Sequence, residues 1–434
     1  MEKIFKIREN GTTYRREIFA GLTTFLTMAY ILAVNPGMLG MIGDGMTPEA
    51  VFTATAIASA IATLAMAFAA NLPVALAPGM GLNAFFTFTV VFGMGYSWQL
   101  ALTAVFLEGI LFIVLSLLNV REAIIKAIPT NLKKAVAVGI GLFIALIGFS
   151  NAGIVVNDAG TIIGLGNLGE KGPMLAMFGL ILITVLYVLK IPGAILIGIL
   201  AATIIGIPMG VTKVAEGWSP FSMPAAPLFF QFEFSAATLL SFKFFTVFFT
   251  FLFVDIFDTI GTLVGVTTQA GLIEKDGGIP RVKQALLSDA VGTVAGAALG
   301  TSTVTSYIES AAGVSAGGRT GFTSLTTGVL FILALFLSPI FLLIPSAATA
   351  PALIFVGFLM MQPVVGIDFF HDPTEGIPAF LAIVMMPFAY SIADGIVYGI
   401  LSYVILKAAT RKFSDITIVT WVLFVVFILR FFLR

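Results

Sequence analysis

Three acidic residues stand inside apolar stretches of this chain. Asp255 and Asp258 lie in Phe251-Leu-Phe-Val-Asp-Ile-Phe-Asp-Thr-Ile-Gly, and Glu309 lies in Thr-Ser-Tyr-Ile-Glu-Ser-Ala-Ala-Gly. A carboxylate at the centre of a bilayer costs at least ~2.5–3.5 kcal/mol, so these residues indicate a path for a polar substrate or an ion. Because Asp255 and Asp258 are three residues apart, we expect them to share one helix face and to share or exchange a proton.

The composition is that of a polytopic membrane protein. Of the 434 residues, 59% are hydrophobic and 10% are charged, whereas soluble domains carry about 25% charged residues. The net charge is zero, which gives no basis for binding nucleic acid. With no cysteine and one histidine, His371, the chain cannot form a cysteine or multi-histidine metal site. No cofactor is expected.

Apolar runs predict about fourteen membrane-spanning helices of ~20 residues each, which we number as segments 1 to 14. They lie near residues 18–34, 50–70, 78–94, 98–118, 134–150, 173–189, 191–209, 244–268, 284–299, 303–315, 321–339, 346–363, 376–390 and 392–407. A fifteenth run, 416–433, follows. It could cross the membrane or lie along its surface, and hydropathy does not decide between these.

Segments 3 and 10 have an unusual start. Prolines and glycines precede the helical part of segment 3, in Asn71-Leu-Pro-Val-Ala-Leu-Ala-Pro-Gly-Met-Gly-Leu-Asn, and a hydroxyl-rich, β-branched stretch from Gly300 to Ser306 precedes that of segment 10. Each pattern predicts a strand that leads into a half-helix. Interrupted segments at matching places in two halves point to a transporter binding site. Their spacing of seven segments predicts a 7+7 inverted repeat.

The positive charges favour a cytoplasmic N-terminus. With that orientation, most of the 22 Lys and Arg fall in inner loops, whereas only Lys171, Lys213 and Lys243 fall in outer ones. One inner loop, from Asp368 to Glu375, is acidic and adds no support to this orientation.

Four stretches resemble one transporter family. They are Tyr14-Arg-Arg-Glu-Ile-Phe-Ala-Gly-Leu-Thr-Thr-Phe-Leu-Thr-Met-Ala-Tyr-Ile, Pro78-Gly-Met-Gly-Leu-Asn-Ala-Phe-Phe, Val254-Asp-Ile-Phe-Asp-Thr-Ile-Gly-Thr, and Ser288-Asp-Ala-Val-Gly-Thr with Glu309-Ser-Ala-Ala-Gly-Val. Through them, nearly the whole chain resembles the AzgA-like branch of the nucleobase/ascorbate transporters, the hypoxanthine, guanine and adenine permeases.

The resemblance implies a secondary active transporter that imports purine bases with protons by an elevator-like movement. It implies a core domain of segments 1–4 and 8–11 (14–118 and 240–339) and a gate domain of segments 5–7 and 12–14 (119–210 and 340–408), leaving 409–434 apart. Relatives also suggest a homodimer. A permease of this kind is expected in the plasma membrane. The family's functional positions match Asn83, Asp255, Asp258 and Glu309.

A purine needs hydrogen-bonding groups at its edge and apolar cover for its face. One carboxylate can accept both N–H groups of guanine, a role that suits Glu309 at a strand-to-helix break. Backbone N–H groups at the half-helix starts could bind ring atoms, with Gly81, Leu82 and Ser310 as candidates. The expected aromatic cover is Phe85, Phe253, Phe257 or Tyr307. For the proton we expect Asp255, Asp258 or Glu309, with Asp255 holding the substrate edge or the proton and Asp258 tuning it.

Other polar residues have structural interpretations. Asn83 could cap its half-helix, and Glu108 could pair with a hydroxyl across a helix interface. Asp289 and Asp394 are interpreted as charges at the starts of segments 9 and 14.

Three other functions compete with purine uptake, and one of them is a channel, which saturable, pH-driven uptake would exclude. The first is transport of another solute, such as uracil, xanthine or an inorganic anion, on the same architecture; an acidic site disfavours the anion. The second is a membrane enzyme, which would have to work with carboxylates alone. Paired membrane aspartates occur in aspartyl proteases, but their Gly-Xaa-Gly-Asp context is missing. The sequence leaves the choice between adenine and the oxopurines open.

Overall fold

The computed structural model describes residues 1–118, 129–158, 160–273 and 279–432. Parts of the predicted inner loops 119–134 and 271–283, of the predicted gate half 119–210 and of the run 416–433 lie outside the described residues. Helices dominate the described chain, and strands are few and short. Nine helices within these ranges are long and apolar enough to cross a membrane, with shorter apolar helices between them. The prediction of an all-α polytopic membrane protein is confirmed.

Over the described residues, fourteen segments follow in the predicted order. Segments 1 to 7 are Tyr14–Met28 with Ile31–Leu39, Pro48–Ala65 with the π-helical Met66–Ala70, strand Leu76–Pro78 with Met80–Ala84 and the π-helical Phe85–Gly93, Trp98–Leu117, Thr130–Asn151, Lys171–Val188 and Ala194–Met209. Segments 8 to 14 are Phe242–Gln269, Val282–Leu299, strand Val304–Ser306 with Ser310–Ser315, Gly321–Ala334 continued by Leu335–Leu337 and Ser338–Leu342, Ser346–Leu359, Pro373–Phe388 and Ile392–Ala409.

The remaining elements lie in loops and near the chain ends. They are helices Glu2–Phe5, Gly40–Ile42, Ala236–Leu239, Gln362–Gly366, Phe413–Asp415 and Ile418–Phe432, and the hairpin of strands Val155–Asp158 and Ile162–Leu165.

Side-chain caps fix where many segments begin. The residue before the first helical turn accepts a hydrogen bond from a backbone N–H of that turn, which contributes about 1 kcal/mol in a typical case. These caps belong to segments 1, 2, 4, 8, 11, 13 and 14, and they are Thr13, Thr47, Ser97, Ser241, Thr320, Asp372 and Ser391.

The two interrupted segments cross as an antiparallel pair of strands. Leu76 pairs with Ser306, Ala77 with Thr305 and Pro78 with Val304. Because the paired strands run in opposite directions, segments 3 and 10 enter from opposite sides, as an inverted repeat requires. Sequence explains why neither begins as a helix. Prolines favour extended backbone before them in segment 3, and β-branched residues favour it in segment 10.

The segments pack in two groups. In the first group, segments 1, 2, 4 and 8 to 11 pack on one another, with segment 9 lying against segments 2 and 4 and segment 11 against segments 1 and 2. In the second group, segment 12 lies against segments 5 and 6, and segment 13 against segments 5 and 14. Segment 3 belongs to the first group through its strand and touches segment 5 of the second through its half-helix.

The helix Ile418–Phe432 packs on the second group's edge. It contacts segment 14, and Phe427 lies edge-on to Phe249 of segment 8, with ring centroids 5.8 Å apart. At ~1.5 Å per residue its 15 residues are about 22 Å long, shorter than a bilayer's apolar core of ~30 Å. The structure therefore gives the described part of the run 416–433 a packing partner in segment 14.

A cluster of charges joins the end of segment 14 and the short helix Phe413–Asp415 to the acidic loop. Lys407 is only 2% exposed and pairs with Glu375 Oε1 at 2.9 Å, Asp415 Oδ2 at 3.0 Å and Asp372 Oδ2 at 3.4 Å. Lys412 also reaches Asp372. The hydrogen bond from Thr374 is the largest of several interactions that hold the pKa of the Asp372 carboxyl below its usual range. Two acidic residues of the loop, Asp372 and Glu375, thus pair with lysines at the end of segment 14 and just beyond it.

Candidate functional site

Glu309 stands where the second strand gives way to its half-helix. It is the N-cap residue of Ser310–Ser315 and is partly buried. Its Oε1 accepts a hydrogen bond of 2.6 Å from the Tyr30 hydroxyl, and its carbonyl oxygen lies 3.4 Å from the Thr27 hydroxyl. Both partners come from segment 1, Tyr30 from the break between its two helical parts. Only some of the carboxylate's acceptor capacity is used by these bonds.

Asp258 of segment 8 faces the same place. Its side chain is partly buried, and its carboxyl lies beside the Thr305 hydroxyl of the second strand. It is close enough to Glu309 and to Tyr307 for direct electrostatic interaction. Carboxyls from two different segments therefore lie near the strand crossing, with Tyr30 and Tyr307 nearby.

Asp255 faces away from that pair. It is fully buried, and the Thr259 hydroxyl lies 3.4 Å from its Oδ1 and 2.8 Å from Oδ1 of Asp289. Residues three apart on a helix differ in direction by about 60°, which is enough to send Asp255 toward segment 9 and Asp258 toward the crossing. The interpretation of Asp289 as a charge at the start of segment 9 is wrong. That helix begins at Val282, which places Asp289 in its buried interior.

Asn83 joins the two interrupted segments beneath the surface. It is fully buried, its Oδ1 accepts a short hydrogen bond from the Ser302 hydroxyl, and its Nδ2 lies 3.4 Å from the Pro78 carbonyl. The same carbonyl accepts a 2.6 Å hydrogen bond from the Tyr307 hydroxyl. Gly79, and not Asn83, is the N-cap residue of the half-helix. Asn83 and Tyr307 thus both hold the end of the first strand.

Ser310 and Phe85 are engaged within the scaffold. The Ser310 hydroxyl accepts a 3.0 Å hydrogen bond from Ala75 N, and its own amide donates to the Tyr307 carbonyl at 3.1 Å. Phe85 is fully buried and meets Phe251 edge to face, with centroids 4.9 Å apart. Phe253 is buried as well, and the side chain of Phe257 lies outside the described residues. Direct contact of Ser310, Phe85 or Tyr307 with a substrate stays a prediction.

Two structural interpretations from the sequence are confirmed. The Thr303 hydroxyl donates to Glu108 Oε2 at 3.3 Å, so Glu108 does meet a hydroxyl from another segment. Asp394 lies in the first turn of segment 14, where its amide donates to the Ser391 hydroxyl at 3.2 Å.

Sequence reasoning missed Tyr30. Its contact with Glu309 spans 279 positions of the chain, so no local pattern could reveal the pair. A weaker signal was available. Tyr30 is a polar aromatic residue inside an apolar run, six residues before Pro36, and it is fully buried in the structure. Buried tyrosines usually find a partner for the hydroxyl.

The arrangement can bind a neutral polar molecule in a poorly hydrated setting. Its accessible groups are two carboxyls that accept hydrogen bonds, with hydroxyls that can donate or accept. Within the part of the chain that the structure describes, no group of three or more His, Cys, Asp or Glu side chains could hold a metal ion.

Two solved structures with a similar fold are those of transporters. The transmembrane domain of a cyanobacterial bicarbonate transporter, BicA, matches with a TM-score of 0.67 at 16% identity, covering 89% of this chain and 97% of that one. The murine anion transporter Slc26a9 in its inward-facing state matches with a TM-score of 0.62 at 11% identity, covering 90% and 68%. At these identities the likeness concerns the fold alone.

Sequence comparisons are far closer. A putative permease of Methanocaldococcus jannaschii is 49% identical, covering 99% of this chain and 98% of its own. The guanine/hypoxanthine permease PbuG of Bacillus subtilis is 46% identical over 99% of both chains. The adenine permease AdeP of Escherichia coli is 42% identical over 99% of this chain and 95% of its own.

A family model described as the Permease family matches residues 15–398, which include every element of the site. This match and the full-length relatives together indicate a transporter and not an enzyme. The chain belongs to the Permease family, within the nucleobase/ascorbate transporter superfamily, and is a multi-pass membrane transporter.

Proposed function

We propose that this protein imports purine nucleobases, hypoxanthine and guanine foremost, by proton symport. The observation that carries the proposal is the pairing of Glu309 with Tyr30 beside Asp258 at the strand crossing, in a chain that matches purine permeases over its full length. Adenine is a second candidate substrate, because the adenine permease AdeP is nearly as similar as PbuG.

Glu309 recognises the donor edge of the purine. Guanine offers N1–H and an exocyclic amine, which one carboxylate can accept together, and hypoxanthine offers N1–H alone. The Tyr30 hydroxyl fixes the carboxylate by binding Oε1. Asp258, partly buried on the other side, faces the remaining polar atoms of the base. Tyr307 or Phe85 covers the ring.

The coupled proton resides on Asp258, Glu309 or Asp255. Asp258 and Glu309 lie near enough for their charges to influence each other, and two like charges repel in a poorly hydrated site. A proton bound by either one relieves this repulsion before the loaded site moves through the membrane. Asp255 is fully buried and linked through Thr259 to Asp289, so it serves as a second place for a proton and not as a substrate ligand.

The two packing groups correspond to a core that moves and a gate that stays. The core comprises residues 14–118 and 240–339, and the gate comprises 119–210 and 340–408. Tyr30, Asn83, Asp258 and Glu309 all lie in the core group, so the site can travel as one body. The half-helix of segment 3 touches segment 5 of the gate group, which makes it part of the sliding boundary.

The protein lies in the plasma membrane with its N-terminus in the cytoplasm, and it forms a homodimer through the gate. The distribution of Lys and Arg supports the orientation. Segment 6 supports the dimer, since it exposes Ile181 and Val185 along its length and, among the described residues, packs mainly on segments 7 and 12. Second copies or lipids can cover such a face, and cross-linking through single cysteines in segment 6 distinguishes them.

Uptake in cells tests the proposed function. Cells that lack purine transport and express this chain are given radiolabelled hypoxanthine, with and without a protonophore, and with excess adenine, guanine, xanthine or uracil. Protonophore-sensitive uptake that guanine and hypoxanthine block is the expected result. Block by uracil or xanthine alone would favour the alternative substrates. Absence of uptake of every base by protein verified in the membrane would refute the proposal.

A further inference from the structure

The two crossed strands lie in a setting that tolerates no open sheet edge. Each is three residues long and fully buried. Strands in a pair use every second residue for bonds to each other, and the other residues point their N–H and C=O groups outward. Inside a membrane protein those outward groups need partners, because no bulk water is there to supply them. Other residues must therefore form hydrogen bonds with the outward N–H and C=O groups of the two strands.

On the first strand, a threonine of segment 2 binds both groups of one residue. The Thr63 hydroxyl oxygen accepts a 2.9 Å hydrogen bond from Leu76 N and donates to Leu76 O at 3.1 Å. Thr63 and Leu76 are both fully buried. A single hydroxyl thus forms the two hydrogen bonds that a neighbouring strand would otherwise form with Leu76.

On the second strand, a threonine of segment 9 does the same. The Thr293 hydroxyl oxygen accepts from Val304 N at 3.2 Å and donates to Val304 O at 3.0 Å. Thr293 and Val304 are also fully buried.

The two threonines occupy matching places in the two repeats. Segments 2 and 9 are each second in their half, and Leu76 and Val304 are each first in their strand. The next outward position of the first strand is Pro78, which has no N–H, and its carbonyl accepts from the Tyr307 hydroxyl. The edge of the first strand is thus complete without any further partner.

We infer that Thr63 and Thr293 are positioning residues that hold the strand crossing, and through it Glu309, in the geometry that binds substrate. Leu76 lies three residues before the half-helix cap Gly79, and Val304 lies five before Glu309. With so few residues between them, a shift of either strand displaces the half-helix start that it leads into. Only the transport measurement that tests this role depends on the proposed function.

Isosteric substitutions test the role. Thr63→Val and Thr293→Val keep the shape but remove the hydroxyl and leave two buried groups unpaired, so the KM for hypoxanthine should rise about ten-fold or more. Thr63→Ser and Thr293→Ser keep the hydroxyl and should stay near the wild-type KM. The matched control is Thr267→Val, because Thr267 is also fully buried but bonds only within its own helix, to Leu263 O at 2.6 Å and Val264 O at 3.4 Å. It should leave KM unchanged.

Amide hydrogen exchange of the purified protein gives a readout that needs no substrate. Peptides covering residues 72–80 and 300–308 should exchange faster in the Val variants and at the wild-type rate in the Ser and control variants. Wild-type KM together with wild-type exchange in both Val variants would overturn the inference. Should a Val variant fail to accumulate, Thr→Ala also removes the hydroxyl, and wild-type KM with wild-type exchange in that variant would overturn the inference equally. If the wild type transports no purine, the proposed function fails while the exchange data still decide the role of the threonines.

Discussion

Segments 3 and 10 share a scaffold and differ in the chemistry placed on it. Both enter as a strand, both are held by a threonine from the preceding helix, and both continue as a half-helix. The register that pairs Ala77 with Thr305 puts Gly81 and Glu309 equally far, four residues, beyond the crossing. One repeat therefore carries a carboxylate where the other carries no side chain at all.

The surroundings of these two positions explain the difference. Glu309 points its carboxylate to Tyr30 and Asp258, within the first packing group. Gly81 lies against segment 5 of the second group, and a Cβ added there would lie 2.5 Å from Cγ2 of Ile140. The repeat supplies the same frame twice. Under the proposed function, the half-helix with Glu309 binds the substrate, while the half-helix with Gly81 packs closely against the second group.

The largest effect is expected at Glu309. Glu309→Gln keeps the size but gives up the charge and one acceptor, and losing one partner of a desolvated charged hydrogen bond costs ~2–5 kcal/mol, so uptake should fall at least ~30-fold. Hypoxanthine uptake in membranes with matched protein levels measures it. Glu216→Gln, on an exposed outer loop, is the control and should behave as wild type. Substantial uptake by Glu309→Gln would contradict the proposed difference between the two half-helices, because Glu309 would then not be needed to bind the substrate.

Tyr30→Phe should come next. It removes only the hydroxyl that binds Glu309 Oε1 at 2.6 Å, and a hydrogen bond to a charged group contributes ~1.5–3 kcal/mol, so the KM should rise about ten-fold or more. Because Tyr30 is fully buried, the ring should still fill its space. Concentration series of hypoxanthine uptake separate KM from the maximal rate. A change confined to the maximal rate would mean that Tyr30 acts on the movement of the core and not on the site.

The sequence predicts the positions of the helices and strands better than it predicts which side chains contact one another. Proline, glycine and β-branched patterns placed both interrupted segments, since backbone preferences are local. The spacing of Asp255 and Asp258 predicts their neighbours less well. Their side chains differ in direction by ~60°, and in a packed bundle this difference gives them different neighbours. Tyr30 and Asp289 were missed or misread for the same reason: what each one touches is set by helices far away in the sequence.

Asn83 is a polar residue of the segment 3 half-helix Met80–Ala84, and a smaller effect is expected there. Asn83→Ala removes its bond with Ser302 and its contact with Pro78 O, and a neutral hydrogen bond contributes ~0.5–1.5 kcal/mol, so uptake should fall about five-fold. Ser302→Ala should match it, and the double variant should be little worse than either, because the residues share one bond. Additive losses would instead indicate that Asn83 contacts the substrate by itself.

The smallest effect is expected at Gly81, and it tests the other half of the comparison. Gly81→Ala places a methyl group 2.5 Å from the Ile140 Cγ2 atom. The clash is with a side-chain end that can shift, so the maximal uptake rate should fall only about two- to three-fold, with KM unchanged. Ile140→Ala in the same chain removes the obstacle and should restore the rate. An altered KM, or no rescue by Ile140→Ala, would show that Gly81 serves the site itself, and the two half-helices would then share the substrate instead of dividing binding from movement.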